Sequence, residues 1–188
     1  AFEMVLVEGG TFSMGSSDKD PWANEIPSHN VTLSNYYIGQ TEVTQGLWKA
    51  VLGNNASEYQ GDDFPVNCVS WNDCQLFISK LNNMTGKHFR LPTEAEWEFA
   101  AKGGNNSHGY KYSGSNNVDE VAWVKENSDK KPHPVGTKSA NELGVYDMSG
   151  SVNEWCNDWF DYYTDEAQIN PLGPSKGNER VDRGGRWI

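Results

Sequence analysis

The segment from Gly150 to Trp155 has the residue types of a turn that binds a hard cation. Its glycine lets the backbone turn sharply, so that neighbouring carbonyl oxygens can converge. Ca²⁺ takes roughly six to eight such oxygens. A calcium site is therefore predicted from the carbonyls of Ser149, Gly150 and Val152 and the carboxylate of Glu154. The alternative is a half-buried Glu154 that only hydrogen-bonds its own turn.

The C-terminal run from Arg180 to Ile188 concentrates arginines in an acidic chain, which has 15 Lys and Arg residues against 26 Asp and Glu residues. Alternating residue types predict a strand here, and Gly184-Gly185 predicts a bulge or a kink. Arginine and tryptophan are preferred contact residues at interfaces, so the run is a candidate binding surface. The alternative is that Arg183 pairs with the surplus carboxylates inside the protein.

Nucleophilic and zinc chemistry have little support in this sequence. The three cysteines, Cys68, Cys74 and Cys156, allow at most one disulfide, and no Cys-x-x-Cys spacing occurs. Cys74 falls on the apolar face of a predicted helix, and the other two stand beside tryptophan or valine. Buried, unreactive thiols are therefore expected. The four histidines are far apart in the sequence, which argues against a zinc site.

The composition indicates one loop-rich globular domain. A chain of 188 residues suits a single core, and 8 Trp, 8 Tyr and 7 Phe supply apolar area that the hydrophobic fraction of 36% lacks. The net charge of −11 disfavours nucleic acid as a partner, since phosphate binding needs clustered Lys and Arg. It also disfavours an anionic membrane surface. No apolar run approaches the ~20 residues of a transmembrane segment.

The elements that must position these residues are short. Three helices are predicted: one led in by residues 41–44 and stopped by Gly53, one capped by Ser70, and one opened by a capping box of Thr93 and Glu96. A long ordered loop region over 103–138 indicates a binding role or bound ions. Short strands are predicted at 4–7, 11–15, 31–33, 36–38 and after residue 141.

Taken together, the motifs of this chain resemble those of the formylglycine-generating enzyme (sulfatase-modifying factor) family. The resemblance implies an α+β, C-type-lectin-like fold with little regular secondary structure. It implies one domain over residues 1–188, which we expect to lack its C-terminal end. The matching segments run in family order over nearly the whole chain, at 4–15, 41–44, 65–71, 90–98, 141–148 and 183–185.

The same resemblance implies a structural Ca²⁺ at the turn described above. The family writes this turn as G-N-V-W-E-W, and here Ser151 and Asn153 replace its Asn and Trp. Carbonyl ligands survive such replacements, and Glu154 is retained. A second family calcium site lies in the long loop, where Asn127 and Asp129 are the candidate ligands in this chain.

The oxidases of the family convert a cysteine of sulfatases to formylglycine, using copper and a pair of cysteines just beyond a Gly-Gly-Ser-Trp segment. This sequence has Gly184-Gly185-Arg186-Trp187 and then Ile188, so Arg186 stands at the serine position and the cysteine pair is not present. Oxidase activity is therefore not expected. A copper-dependent formylglycine-generating oxidase is the alternative.

A non-enzymatic branch of the family is more similar to this chain. The variable proteins of diversity-generating retroelements use the fold as a display scaffold, and they carry an Arg-Val-x-Arg-Gly-Gly-x-Trp segment where their variable positions begin. By this resemblance, Asp182, Arg186 and Ile188 are positions that diversification alters. The resemblance implies an exported or cell-surface protein that binds a protein or another surface ligand. Its predicted binding residues are Asp182, Arg183, Arg186, Trp187 and Ile188.

Overall fold

The computed structural model describes residues 2–16 and 25–188, and it has the expected α+β architecture of short strands, short helices and long loops. Within the described residues, no helix is both long and apolar enough to cross a membrane. In chain order the elements are β1 (Met4–Val7), β2 (Thr11–Met14), β3 (His29–Thr32), β4 (Tyr36–Gly39), α1 (Gln45–Leu52), α2 (Trp71–Thr85), α3 (Glu94–Ala101), a 3₁₀ turn (Gly104–Asn106), α4 (Val118–Val121), β5 (Glu154–Trp159), β6 (Gln168–Ile169) and β7 (Arg180–Arg183).

The strands form three small sheets. β1 pairs with β4, and β2 pairs with β3, both antiparallel, while β6 adds to β3 in parallel. β5 and β7 form a third, antiparallel pair that brings the C-terminal strand beside residues 154–159. The four N-terminal strands and the C-terminal strand confirm the prediction from sequence. Residues 143–146 form a turn and not a strand, and their predicted place in the core is confirmed by the buried Val145 and by Leu143, which packs against the larger apolar cluster.

The three predicted helices are present, with Ser70 and Thr93 as the predicted caps of α2 and α3, and with Thr44, the last residue of the predicted lead-in, as the cap of α1. Thr44 caps α1, Ser70 caps α2, and Thr93 caps α3, each accepting a hydrogen bond from a backbone N–H of the first turn. These bonds satisfy amide groups that have no partner inside the helix. The predicted capping box of Thr93 and Glu96 is present, with both of its reciprocal hydrogen bonds.

The apolar interior divides into two clusters. The larger one lies between the sheets and α3, and the smaller one lies between α1 and α2, where Trp48 stacks on Phe77 with ring centroids 4.9 Å apart. Two indole N–H groups join the regions: Trp71 donates to the carbonyl of Cys156 (2.9 Å), and Trp155 donates to that of Val69 (3.0 Å). α3 packs against β2, β5 and β7, and it therefore supports the C-terminal strand from the inside.

The region 103–138 is the long ordered loop region that the sequence predicts, interrupted only by the 3₁₀ turn and α4 among its described elements. Polar side chains hold it in place. Asn141, for example, donates to the carbonyl of Ala100 (2.8 Å) and to the hydroxyl of Ser113 (3.0 Å). Such bonds replace the ladder of a helix or sheet, because buried backbone and amide groups need partners.

Candidate functional site

The two regions that the sequence singles out form one site, because β7 pairs with β5. Glu154 lies opposite Arg183, and Trp155 lies opposite Asp182 in the strand register. Beyond the strands, the N–H of Gly150 donates to the carbonyl of Gly184 (2.8 Å), which extends the contact between the two segments. The predicted calcium turn and the predicted binding surface are therefore neighbours.

The turn itself requires a glycine at position 150. Gly150 has a φ of 77°, in the left-handed region, and a Cβ at this position would lie only 2.3 Å from the carbonyl oxygen of Trp123. The next residue, Ser151, is also left-handed, at 60°, and its N–H donates to the same Trp123 carbonyl (2.7 Å). Two successive left-handed residues turn the chain sharply before Val152 and Glu154.

Glu154 has neighbours outside its own turn, namely Trp97 and Asp147. Burial raises its pKa to about 8, the indole of Trp97 works against that rise, and the charge of Asp147 adds to it. The Trp97 N–H is close to this carboxylate but has no well-aligned hydrogen-bond partner among the described residues. The Val152 carbonyl oxygen and Glu154 Oε1 both lie near Gly184, because a Cβ added to that glycine would be 3.6 and 3.8 Å from them.

Two further buried carboxylates belong to this region, and sequence reasoning did not single them out. Glu42 is 8% exposed and Asp147 is 3% exposed. Both carboxylate oxygens of Glu42, and Oδ1 of Asp147, lack a hydrogen-bond partner within the described part of the chain. Burial raises the pKa of both groups, and the pKa of Glu42 rises further because Asp147 and Glu154 are near. The sequence does carry a signal for Asp147, because an acidic residue between Tyr146 and Met148 in an apolar segment indicates a buried carboxylate.

These acidic groups do not form a metal site from side chains alone. Among residues 2–16 and 25–188, no three His, Cys, Asp or Glu side chains are grouped closely enough to hold an ion. Of the two candidate ligands of the second calcium site, Asn127 makes hydrogen bonds within its own loop. Asn127 uses its Oδ1 to accept from the N–H of Val124 (2.8 Å) and its amide nitrogen to bind Asp119 and Ala122, while Asp129 is exposed. The Asn127 side chain stabilises its own loop.

The C-terminal residues alternate between the interior and the surface. Arg183 points inward with a side chain only 16% exposed, and its guanidinium lies 2.8 Å from Glu98, 3.5 Å from Glu25 and 3.7 Å from Glu94. This is the intramolecular alternative that the sequence left open. Arg183 also lines the groove described below, so it borders the predicted surface while three carboxylates already pair with its charge.

Trp187 also lies in the interior, contrary to its predicted place at the binding surface. It is 8% exposed, its ring meets that of Tyr59 edge to face at 5.8 Å, and its backbone N–H donates to the carbonyl of Ser151 (2.9 Å). The left-handed glycines Gly184 and Gly185 end the strand and turn the chain so that this indole is buried. Three of the five predicted residues are exposed: Asp182, Arg186 and Ile188.

A groove of about 1160 Å³ lies beside this surface. Asp182 and Gly184-Gly185 form one side of it, the loop at residues 107–116 forms another, and Trp97 and Glu98 of α3 line it as well. Asp182 accepts a hydrogen bond from the side chain of Asn153 at the same edge. The groove is therefore bounded by fixed elements on the side of the C-terminal strand.

The cysteines offer no activated thiol in this region. All three are free, so the single disulfide that the sequence allowed does not form. Burial raises the pKa of Cys74 to about 11, with a further contribution from Asp73, and burial also raises that of Cys156 well above its usual range. Because the thiolate is the reactive form, these two thiols are unreactive. Cys68 is exposed, so the prediction of a buried thiol is wrong for this residue.

Comparison with known proteins gives consistent similarities over the full chain. The family model described as "Sulfatase-modifying factor enzyme 1-like domain" matches residues 1–188. The Chaperone protein LppX of Paenibacillus barcinonensis is 36% identical, with 99% of this chain and 79% of that protein aligned. The formylglycine-generating enzyme of Streptomyces coelicolor is 29% identical, over 98% and 78% of the two chains.

A solved structure, that of Treponema denticola variable protein 1, superposes with a TM-score of 0.91 and 34% identity. The match covers 99% of this chain and 84% of that one. The likeness confirms the predicted C-type-lectin-like α+β fold.

Proposed function

Since the chain belongs to the sulfatase-modifying factor enzyme 1-like family, we propose that it is a non-catalytic ligand-binding protein on this scaffold. Its binding surface comprises the exposed residues Asp182, Arg186 and Ile188 together with the adjoining groove. The observation that carries the proposal is the alternation along the C-terminal segment. Arg183 is held by three carboxylates and Trp187 is buried, so the neighbouring side chains of Asp182, Arg186 and Ile188 are held outward on a rigid edge.

Such an edge favours binding because its side chains are already ordered before the ligand arrives. Side chains that are already positioned lose less conformational entropy when a ligand arrives. Arg186 offers a planar, permanently charged donor group, and Ile188 offers an exposed apolar surface of the kind that interfaces bury. The partner we propose is a protein or another surface ligand, and the protein would be exported or displayed at the cell surface. The similarity to the Treponema denticola variable protein supports retroelement diversification of these three positions.

We also propose a structural Ca²⁺ held by the carbonyls of Ser149, Gly150 and Val152 and by the carboxylate of Glu154. The residues present fit this ion, since all four donors are oxygen atoms. The buried Glu154 carboxylate, whose pKa burial raises, gains from a nearby positive charge. A bound Ca²⁺ supplies charge neutralisation at this turn and no chemistry. The turn would then support β5, on which the C-terminal strand lies.

The second candidate function is a copper-dependent formylglycine-generating oxidase, which the similarity to the Streptomyces coelicolor enzyme supports. Against it stand the arginine at position 186, where the resemblance places a serine, and two thiols with raised pKa values. Incubating the protein with copper and a cysteine-containing sulfatase peptide tests this candidate. Aldehyde formation detected by mass spectrometry would favour the oxidase over the non-catalytic binding protein.

The binding proposal is tested with a triple variant, Asp182→Ala, Arg186→Ala and Ile188→Ala, on arrays of glycans and extracellular protein fragments. A matched control carries the same kinds of change elsewhere on the surface, at Asp165, Lys176 and Ile169. Signals given by the wild type and the control but lost by the first variant support the proposed surface. Signals that the first variant keeps in full would show that binding occurs elsewhere. Both variants should melt close to the wild-type temperature, because exposed substitutions seldom alter stability.

A further inference from the structure

A nearly buried carboxylate lies on the side of the groove that the loop at residues 107–116 forms. Glu142 lines the groove, and its side chain is only 9% exposed. Its carboxylate rests against the backbone of Gly103, where a Cβ would be 2.6 Å from Oε2. The backbone N–H of His108 donates to Oε1 (3.0 Å). The carboxylate is therefore fixed beside the groove by two separate parts of the chain.

The charge of Glu142 is left without a strongly basic partner. Oε2 is buried and accepts no hydrogen bond from the described residues. Among these residues the carboxylate forms an ion pair only with His108, whose Nδ1 lies 3.5 Å from Oε1 and whose side chain is 64% exposed. The basic side chains that line the groove contact other groups, and these are Lys102, Lys111 and Arg183. Because a buried acceptor without a donor is costly, Oε2 is an atom that a ligand can satisfy.

Two aromatic rings lie next to this carboxylate. The imidazole of His108 and the ring of Tyr110 meet edge to face, with centroids 5.4 Å apart. Tyr110 lines the groove and is 42% exposed. The negative face of an aromatic ring and a carboxylate oxygen both attract positive charge. Together they form a site for an organic cation.

The free oxygen suits an ammonium group better than a guanidinium. Oε1 already accepts from His108, whereas the bidentate pairing that arginine favours uses both carboxylate oxygens. An ammonium is a compact charge on a flexible chain, so it can reach a single recessed oxygen.

We propose that Glu142 and Tyr110 form a subsite for a lysine side chain of a protein partner. The ammonium donates to Glu142 Oε2 and lies beside the ring of Tyr110. This inference rests on the binding function proposed above, and it adds a chemical feature that the partner must carry.

The test compares two peptides with capped ends. One is Gly-Gly-Lys-Gly-Gly, and the other has norleucine in place of lysine, which keeps the carbon chain and lacks the ammonium. Each peptide is titrated into isotope-labelled protein, and binding is followed by the backbone amide signals of Gly103, His108 and Gly109. The difference between the two peptides isolates recognition of the charge.

Two variants separate the charge of the subsite from its shape. Glu142→Gln removes the charge and keeps an acceptor for the N–H of His108. Tyr110→Ala removes the ring from a partly exposed position. Their controls are Glu166→Gln and Tyr162→Ala, which make the same changes on exposed side chains outside the groove. Melting temperatures show whether each variant is folded.

We expect the wild type to bind the lysine peptide at least about tenfold more tightly than the norleucine peptide. Glu142→Gln should abolish this preference, and Tyr110→Ala should weaken binding of the lysine peptide by about threefold. Both controls should match the wild type.

Equal affinities of the wild type for the two peptides would overturn the inference, and so would a preference that Glu142→Gln retains. Tighter binding of an arginine peptide of the same design would overturn the assignment to an ammonium group. If Glu142→Gln does not fold, Tyr110→Ala decides, since unchanged binding of the lysine peptide by that variant contradicts the subsite. The array experiment with the triple variant tests the binding surface separately, so failure of the lysine subsite and failure of the binding function give different results.

Discussion

Replacing Arg183 by methionine separates an internal role for this residue from a role in ligand binding. Its guanidinium lies 2.8 Å from Glu98 and 3.7 Å from Glu94, whose side chains are only 6% and 15% exposed. Burial by itself would lower the pKa of Arg183, but Glu98, Tyr163 and Glu94 together hold that pKa above its ordinary value. Methionine keeps much of the apolar volume and removes the charge.

The expected loss of stability follows from the carboxylates that remain. Removing one partner of a buried ion pair costs about 3–5 kcal/mol. Glu98 keeps its contact with Lys102 at 2.7 Å, and Glu94 keeps the hydroxyl of Tyr163, so the lower end applies, about 3 kcal/mol. For a protein of this size, about 3 kcal/mol corresponds to a fall of roughly 6–12 °C in the melting temperature.

Urea unfolding followed by circular dichroism measures this loss, and Arg186→Met supplies the control because it makes the same chemical change on an exposed side chain. The control should change the free energy of unfolding by less than about 0.5 kcal/mol. The double variant Arg183→Met with Glu98→Gln should be less destabilised than the sum of its parts, since the two groups interact directly. A loss below about 1 kcal/mol for Arg183→Met would contradict the internal role.

Three further outcomes are expected. Trp187→Ala should lower the free energy of unfolding by about 3–5 kcal/mol in urea, because the indole is buried; near-wild-type stability would place this side chain outside the core. EDTA should lower the melting temperature of calcium-loaded protein, since a ligand present at about 100 times its Kd stabilises by about 2.7 kcal/mol; an unchanged melting temperature and an empty metal assay would refute the calcium site. Burial, opposed by a hydrogen bond from the N–H of Glu94, raises the pKa of Asp158 from 3.8 to about 6, so the folded protein holds more protons than the unfolded chain between these values. The stability of the wild type relative to Asp158→Asn should therefore fall by up to about 3 kcal/mol as the pH rises from 4 to 7; a difference that stays constant over this range would contradict the raised pKa.

Local features of the fold could be predicted from sequence because their causes are local. Thr44, Ser70 and Thr93 begin helices with hydroxyl groups that bind amides three residues on, so neighbouring residue types suffice to identify them. The strands near the N-terminus follow from short β-branched and aromatic runs between turn residues. The bounds of these elements needed no knowledge of the remainder of the chain.

Long-range contacts decide the site, and these could not be predicted from spacing. Arg183 pairs with Glu98, 85 residues earlier, and Glu42 lies near Asp147 only because the chain folds back through Gln40 and Tyr146. The side of the strand on which Arg183 lies could have been predicted from the sequence. Val181 is apolar and buried, so the two-residue repeat of a strand places Arg183 on the same inner face and Asp182 outside. The burial of Trp187 follows two left-handed glycines and could not be derived in this way.

The division of the interior into two apolar clusters has a consequence for how the molecule opens. The region of α1 and α2 is joined to the larger one in part by the crossed indole bonds of Trp71 and Trp155. Proteins open in cooperative units, and a junction of this kind is a natural boundary between two of them. Amide hydrogen exchange should then show two levels of protection, with the amides of the smaller unit exchanging first. The emission of these two tryptophans would report the parting of the units before the β5–β7 pair separates.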